Sequence, residues 1–554
     1  MKESLKDIVR ESVSSLYFEG SSKIPVSDIE ISIPKKREFG DYSSNIAMLL
    51  TKPLKKKPRE IAEQISENLS TSHADLFKKV EIAGPGFLNF FINESSLMTE
   101  LQIIEQQTDK FGHLDSVQGQ KIIVEFVSAN PTGFLHLGHA RNAVVGDAIS
   151  NILKASGFDV TKEFYINDAG RQIEMLGTSV LCKYKEIFGI ESEFPEDGYK
   201  GSYISDIANE INEQIGDKLL KEKSEQSALE YCRNFAKDRL LQDIKDDLGK
   251  AGIYFDNWYS EKENLHGKNN KISQIIDSLE KNKALENKDG ALWFKATEFG
   301  EQQDWVLIKS DGSPTYFIAD IAYHNEKIER GFNRLINIWG ADHHSHISRL
   351  KASIKALGHD ESILDVPLIQ FVRLVSEGKE VKMSKRSGEY VTMREVLEEV
   401  GADVLRFFML MRSSDSHLDF DLDLAKRQSS ENPVYYVQYA HARINSVFVK
   451  AKEAGIGLSK DYINLLDKPE EVEIAKTLLN FPDVIKDSAY SLSPHKITFY
   501  LQEVASQFHV YYNKYKVVTD DEKLSSSRLY LINCVKTVIH NGLKILGVSA
   551  PERM

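Results

Sequence analysis

The chain has 554 residues, 41% of them hydrophobic and 28% charged, and a formal net charge of −13 at neutral pH. One core rarely serves more than about 250–300 residues, so several domains are expected, and the composition excludes a disordered or fibrous chain. The N-terminus, MKESLKDIVRES, is charged from its second residue and lacks an apolar signal core, and no apolar run reaches the ~20 residues that span a bilayer. Cys182, Cys232 and Cys534 lie far apart and match no CxxC metal or redox pattern, so reduced, mostly buried thiols and a cytoplasmic location are expected. The acidic total does not advertise a nucleic-acid binder. From Ser430 onward, however, the chain is close to neutral, so a polyanion would meet less repulsion there, although a neutral stretch is unremarkable in itself.

In chain order, SLKDIVRESVSSLY (4–17) sets Leu5, Ile8, Val9, Val13 and Leu16 on one helical face. FGDYSSNIAMLLTKPLKKKPREIAEQI is expected to be helical except around Pro53 and Pro58, and KVEIAGPGFLNFFI to be strand, Gly-Pro-Gly turn, strand. That order predicts a compact α+β domain followed by a linker, DKFGHLDSVQGQK. KIIVEFV (121–127) has the character of a buried parallel strand, with a helix from about Leu137 to Ala155 after it. VTKEFYIND and AGRQIEMLGTSVLCKYKEIFG repeat the strand–helix order, as a doubly wound sheet does. Residues of about 190–300 are polar, acidic and helix-rich, and are expected to form an insertion, since parallel crossovers tolerate long excursions. Alternation resumes through 304–328, 334–358 and a strand at 366–375, and a helical bundle is expected toward the C-terminus.

Two motifs carry chemistry. The first is His136-Leu137-Gly138-His139, which opens a helix after a buried strand and Pro131-Thr132-Gly133. A helix N-terminus attracts phosphate, Gly138 permits close approach, and two imidazoles three residues apart share one face of the first turn. They could donate to an α-phosphate as it takes on charge. Equally, two polar residues could cap the helix or supply half a zinc site. The second motif is Lys382-Met383-Ser384-Lys385-Arg386, a cationic loop suited to a leaving pyrophosphate, or a solvated basic loop. Their order along one expected sheet favours a shared nucleotide site.

HLGH with KMSKR resembles the signature pair of class I aminoacyl-tRNA synthetases, usually HIGH and KMSKS. The longer stretch VEFVSANPTGFLHLGHARNAVVGD resembles the arginyl-tRNA synthetase family in particular. GDYSSNIAMLLTK and EIAGPGFLNF resemble that family's N-terminal domain, and GADVLRFFMLMRSSDSHLDFDLDLA and APERM resemble parts of its C-terminal half. The resemblance implies three parts: an N-terminal α+β domain (1–112) that contacts tRNA, a Rossmann-like, doubly wound α/β catalytic domain (113–400) with the insertion, and an all-α anticodon-binding bundle (401–554). It implies that L-arginine is activated with ATP and Mg2+, then passed to the 3'-terminal ribose of tRNA(Arg). A monomer with no tightly bound protein metal is expected.

By the same resemblance His136, His139, Lys382 and Lys385 are catalytic. Gly138, His139, Met383, Ser384 and Lys385 would contact ATP. Arginine would be held by Tyr316 and Asp320 at its guanidinium and by Glu125, Ser128 and Asn130 near its α-amino end. The residue chemistry agrees: a guanidinium offers five donors and a fixed charge, so it wants carboxylates and an aromatic. Tyr316 and Asp320 are four apart, hence on one face of a helix. Glu125 within a strand is costly unless paired, and a protein lysine is the alternative partner. Departures are a final Arg386 where many relatives carry Ser, and the cluster His343, His344 and His346. There His343 could replace a glutamine that contacts arginine in some relatives, the cluster could line the adenosine pocket, or it could hold a metal, although the spacing argues against the last. In the bundle, Tyr435, Tyr436, Tyr439 and Arg443 could stack on anticodon bases or be core. Lys55, Lys56, Lys57 and Arg59 could touch the tRNA elbow or be a solvated face. A single-domain nucleotidyltransferase would leave both terminal regions unexplained, and a non-catalytic relative would have lost these histidines or lysines.

Overall fold

The computed structural model describes residues 1–18, 29–34, 36–114, 119–221, 223–267, 270–381 and 390–554. Its centre is a five-stranded parallel sheet. In space the order is Leu364–Asp365, Arg334–Asn337, Lys121–Glu125, Asp159–Ile166, Asn257–Ser260. The chain starts in the middle, builds outward in one direction, then returns to build in the other. The winding direction therefore reverses between Lys121–Glu125 and Arg334–Asn337. Such a switch point opens a crevice at the carboxyl ends of the two strands, where open α/β sheets bind ligands.

The helix Leu137–Ala155 follows the central strand and is buried along nearly its whole length. It lies tight against the sheet because of Gly146, where a Cβ would sit 2.2 Å from the Phe126 ring. On the sheet, Asn337, Glu125 and Glu163 stand side by side in register, all buried. The helix Tyr316–Glu329 lays Tyr323 and Lys327 across this polar row, and Arg330 follows at its C-cap. Lys327 bonds Glu125 at 2.6 Å and Asn337 at 3.0 Å, and Arg330 and Tyr323 bond Glu163. Buried charges persist only when paired in this way.

The N-terminal part packs Lys2–Tyr17 and Pro58–Ser72 on a three-stranded antiparallel sheet of Tyr42–Ser44, Phe87–Ile92 and Phe77–Ala83. The C-terminal part is built on helices Pro433–Glu453, Pro469–Leu479, Phe481–Tyr490, His495–Lys514 and Glu522–Ile545. At the junction the buried Arg406 guanidinium donates to Asp147 and to the carbonyls of Ala251 and Leu546, joining the bundle to the sheet's first helix. No helix among the described residues is long and apolar enough to cross a membrane.

Three sequence expectations change. FGDYSSNIAMLLTKPLKKKPREIAEQI, expected to be helical except around its prolines, opens with the strand Tyr42–Ser44 paired to Phe87–Ile92, and Pro53 lies in the short helix Thr51–Leu54. The stretch 190–300 does contain helices, Ser202–Ile215 and Glu225–Lys250, packed on Arg171–Ile187. It also returns the edge strand Asn257–Ser260 to the central sheet before leaving for a small antiparallel sheet of Leu285–Lys288, Ala291–Phe294 and Trp305–Ile308. The single strand expected at 366–375 is instead the short pieces Leu368–Ile369 and Val372–Ser376, each pairing elsewhere. Pro367, just before them, lacks the N–H that an uninterrupted ladder needs.

Candidate functional site

At the switch point lies a cavity of about 550 Å³. Its floor begins where the central strand ends in a strained turn. Val127 and Ser128 both take positive φ, 65° and 40°, which is costly for a β-branched residue. Asn142 holds this turn: its side-chain oxygen accepts from the Val127 N–H at 2.7 Å while its amide donates to the Ile338 carbonyl at 2.8 Å. One side chain thus ties together the ends of both strands that flank the switch point.

At one end of the cavity, His136 is the N-cap of Leu137–Ala155. Its Nδ1 accepts from the N–H groups of Gly138 at 3.0 Å and His139 at 3.3 Å. His139 Nδ1 in turn accepts from the His136 N–H at 3.4 Å, and the two rings stack with centroids 3.7 Å apart. Burial lowers the His136 imidazole, and burial and then His136 push His139 down to about 3. Both rings are therefore neutral at physiological pH. With both Nδ1 atoms accepting, each proton sits on Nε2, so the pair presents N–H donors at the positive end of a helix. Gly138 has a more specific task than general access: a Cβ there would meet His136 Cε1 at 2.9 Å and Nδ1 at 3.1 Å, in the way of the cap.

The other end is anionic. Glu125 Oε1 accepts from the Ser128 hydroxyl at 3.0 Å, and Oε2 from Lys327. The protein-lysine partner foreseen for Glu125 is thus present, while the residue still lines the cavity. Asp320 and Tyr316 project from the helix start, and the Tyr316 ring is 61% exposed. Behind them His324 donates through Nδ1 to the Asp320 carbonyl at 2.7 Å and accepts from the Asn337 amide at 2.6 Å. Burial and Lys327 hold this imidazole well below its usual range, so it too is neutral. Asn130 donates to Gln172 at 2.6 Å.

All nine described candidates for catalysis, ATP or arginine line this one cavity: Glu125, Ser128, Asn130, His136, Gly138, His139, Tyr316, Asp320 and His343. Lys382, Met383, Ser384 and Lys385 lie outside the described residues. The flanks of that stretch are described, and they reach the site. Val381 is tied to Leu374, while Met393 N–H donates to the Leu135 carbonyl at 2.7 Å and Tyr390 to the Phe134 carbonyl at 3.2 Å. In the histidine cluster, His343 is exposed beside Asp342, whereas His346 is the residue that meets Asp320, at 2.8 Å. No three His, Cys, Asp or Glu side chains gather into a metal-holding group among the described residues.

Asn142, Tyr165 and His324 also line the cavity and were not singled out for it from sequence, while His346, named there only as one of a histidine cluster, lines it too. Asn142 is three residues past His139 on the same helix, and Tyr165 ends a parallel strand, so both carried a positional signal. Tyr435, Tyr436, Tyr439 and Arg443 are not part of the cavity. They form a half-buried ladder on the bundle, with Tyr435 stacked on Tyr439, Tyr436 against His509, and the Arg443 guanidinium between Tyr439 and Tyr512 at 4.8 and 5.0 Å.

Three family models match the chain in succession: the arginyl tRNA synthetase N terminal domain over residues 3–92, the catalytic domain of class I (R) tRNA synthetases over 100–417, and the DALR anticodon binding domain over 437–554. An arginine–tRNA ligase of Syntrophotalea carbinolica is 45% identical over 560 residues, covering 100% of both chains. One of Geobacillus thermodenitrificans is 45% identical over 557 residues, covering 100% of this chain and 99% of its own. The solved structure of Thermus thermophilus arginyl-tRNA synthetase shares the fold with a TM-score of 0.76 at 22% identity over the whole of both chains. With its two capped histidines and its carboxylates at the switch point of one parallel sheet, the chain belongs to the arginyl-tRNA synthetase family, the class I ATP-dependent ligases that join arginine to tRNA.

Proposed function

We propose that this cavity carries out the family's two steps, with arginine's guanidinium at Asp320 and Tyr316 and its α-amino end toward Glu125. The arginine carboxylate oxygen attacks the α-phosphorus of ATP. The bond to the β-phosphate oxygen breaks and pyrophosphate leaves. A terminal ribose hydroxyl of tRNA(Arg) then attacks the acyl carbon, and AMP departs. The observation that supports this reading is a single cavity with neutral imidazole N–H donors at one end and carboxylates at the other. The imidazoles of His136 and His139 steady charge that grows on the α-phosphate, and preorganised donors are worth most where charge develops. Ser128 and Asn130 act by fixing their neighbours: Ser128 holds Glu125, and Asn130 holds Gln172. His343, beside Trp339, serves the adenosine side. Lys382 and Lys385 meet the departing pyrophosphate, aided by Met383 and Ser384.

Magnesium in this reading arrives with the triphosphate. The N-terminal (1–112), catalytic (113–400) and anticodon-binding (401–554) parts work together as a cytoplasmic monomer. Tyr435, Tyr439 and Arg443 offer a stacking surface to anticodon bases. Lys55, Lys56, Lys57 and Arg59 face the elbow of the tRNA. The decisive assay is pyrophosphate exchange with arginine, ATP and tRNA, with citrulline and lysine as controls. Exchange is expected with arginine only and to be weak without tRNA. Absence of any arginine-dependent signal with tRNA would overturn the reading.

A further inference from the structure

Asp320 is the carboxylate that faces the exposed end of the cavity, and it does not stand alone. Its Oδ2 is bonded to His346 Nε2 at 2.8 Å, while Oδ1 has no hydrogen-bond partner among the described residues. His346 is itself held on its far side, where Arg349 Nε donates to its Nδ1. A guanidinium can only donate, so the His346 Nδ1 lone pair is taken and the ring proton is on Nε2, pointing at Asp320. The imidazole is clasped by rings as well: Trp339 at 5.4 Å and Phe317, edge-on, at 5.7 Å. Arg349 is fixed in turn over Trp305 at 4.5 Å and Phe317 at 5.2 Å. Two aromatic layers and two hydrogen bonds therefore define one orientation for an imidazole that is only 12% exposed.

We infer that His346, backed by Arg349, is a positioning residue for arginine selection: it holds the Asp320 carboxylate with Oδ1 presented to the guanidinium and with its charge uncompensated. This rests on the reading of Asp320 as the guanidinium partner. The logic is electrostatic. A carboxylate that must attract a cation can be oriented by a neutral donor at little loss of field, whereas a cationic donor would cancel the charge that the substrate needs. Arg349 fixes the orientation, because its bond to Nδ1 leaves the Nε2–H to face Asp320. The other charged or titratable groups near Asp320, His346 and Arg349 include His324 on the Asp320 helix, Tyr165 on the strand Asp159–Ile166, Glu261 just after the strand Asn257–Ser260, Glu301 opposite Arg349, and Asp342 with His343 just before the His346 helix.

The test is steady-state aminoacylation by the full chain, with arginine varied at saturating ATP and tRNA. His346→Phe keeps the ring packing and removes both bonds, so the arginine KM rises about ten- to a hundredfold while the ATP KM barely moves. His346→Gln, whose amide can donate to Asp320 and accept from Arg349, recovers much of that loss and serves if the Phe variant does not fold. On an Asp320→Asn background, His346→Phe adds less than about twofold, because it acts through the group already removed. Arg349→Met removes the donor that fixes the ring while leaving Asp320 and His346 in place, so the arginine KM rises with little change in the ATP KM. If Asp320→Asn weakens arginine but the His346 variants and Arg349→Met do not, the inference is overturned alone. If Asp320→Asn leaves the arginine KM unchanged, the underlying assignment of Asp320 falls.

Discussion

Lys327→Met is the most informative single change to the scaffold of the site. The Lys327 ammonium is fully buried, 2.6 Å from Glu125 and 3.0 Å from Asn337, over the face of Tyr323 at 4.1 Å. Methionine fills the space of the stem but leaves Glu125, 7% exposed, with only the Ser128 hydroxyl. Removing one partner of a buried pair costs about 3–5 kcal/mol, because the other charge stays behind. Glu125 lines a cavity, so the lower end applies, about 3 kcal/mol, or about 5 °C in the melting of a catalytic domain this large. The chain has several parts, so the measurement is scanning calorimetry of the transition that arginine and ATP shift, not a single two-state melt. A second arm sharpens it. Glu125→Leu combined with Lys327→Met removes both charges and should melt above Lys327→Met alone, although it cannot support activity. Lys327→Met melting within about a degree of the parent, or a double variant less stable than the single, would falsify the account of the polar row.

Other expectations are as direct. Gly138→Ala sets a Cβ 2.9 Å from the His136 ring and displaces the cap, so single-turnover activation should slow by about ten- to a hundredfold. Stability should hardly change, since alanine's helix preference, up to about 1 kcal/mol, offsets the lost cap; an unimpaired rate would show that the ring geometry is not needed. His139 is pushed down to about 3, below its unfolded value, so the unfolded chain binds a proton that the folded chain refuses and stability falls as pH drops below about 6.5. His139→Gln should lose less stability than the parent between pH 7 and pH 5 in denaturant titrations, and an equal loss would contradict the assigned neutrality. Lys385→Ala should lower the turnover of activation by about 100-fold or more with arginine binding nearly unchanged, and full turnover in rapid-quench measurements would remove its role.

How far the sequence led depended on the range over which each feature is built. The helix start at His136, the strand before it and the shared face of Tyr316 and Asp320 are local, and their spacing alone disclosed them. The Glu125–Lys327 pair joins residues 202 positions apart, so the strand residue was visible as a charge needing a partner while the partner was not. Asn142 looked like any polar residue on a helix, because its task, bridging two strand ends, exists only once the sheet is assembled. The edge strand Asn257–Ser260 was hidden by its brevity and polarity, both normal for an edge and both typical of an insertion. His346 was hidden by its neighbours: three histidines within four positions looked interchangeable, and only the helix His344–Ala356 separates the one that meets Asp320 from the two that do not.

Of the alternatives the histidine motif offered, a helix cap and a phosphate contact prove to be one arrangement. Nδ1 of His136 can accept from the backbone only if its proton is on Nε2, and that proton is what a phosphate oxygen would accept. Capping therefore aims the donor and fixes the tautomer in the same bonds. It also spends two backbone N–H groups that an uncapped helix would turn toward an anion, so an anion at this helix start would meet imidazole and not amide. Because each Nε2–H is already aimed, no reorganisation is needed as charge grows on the phosphate. A site that must respond to a charge appearing during reaction, and not only bind one already present, has a physical reason to place histidines where other helices leave their N–H groups bare.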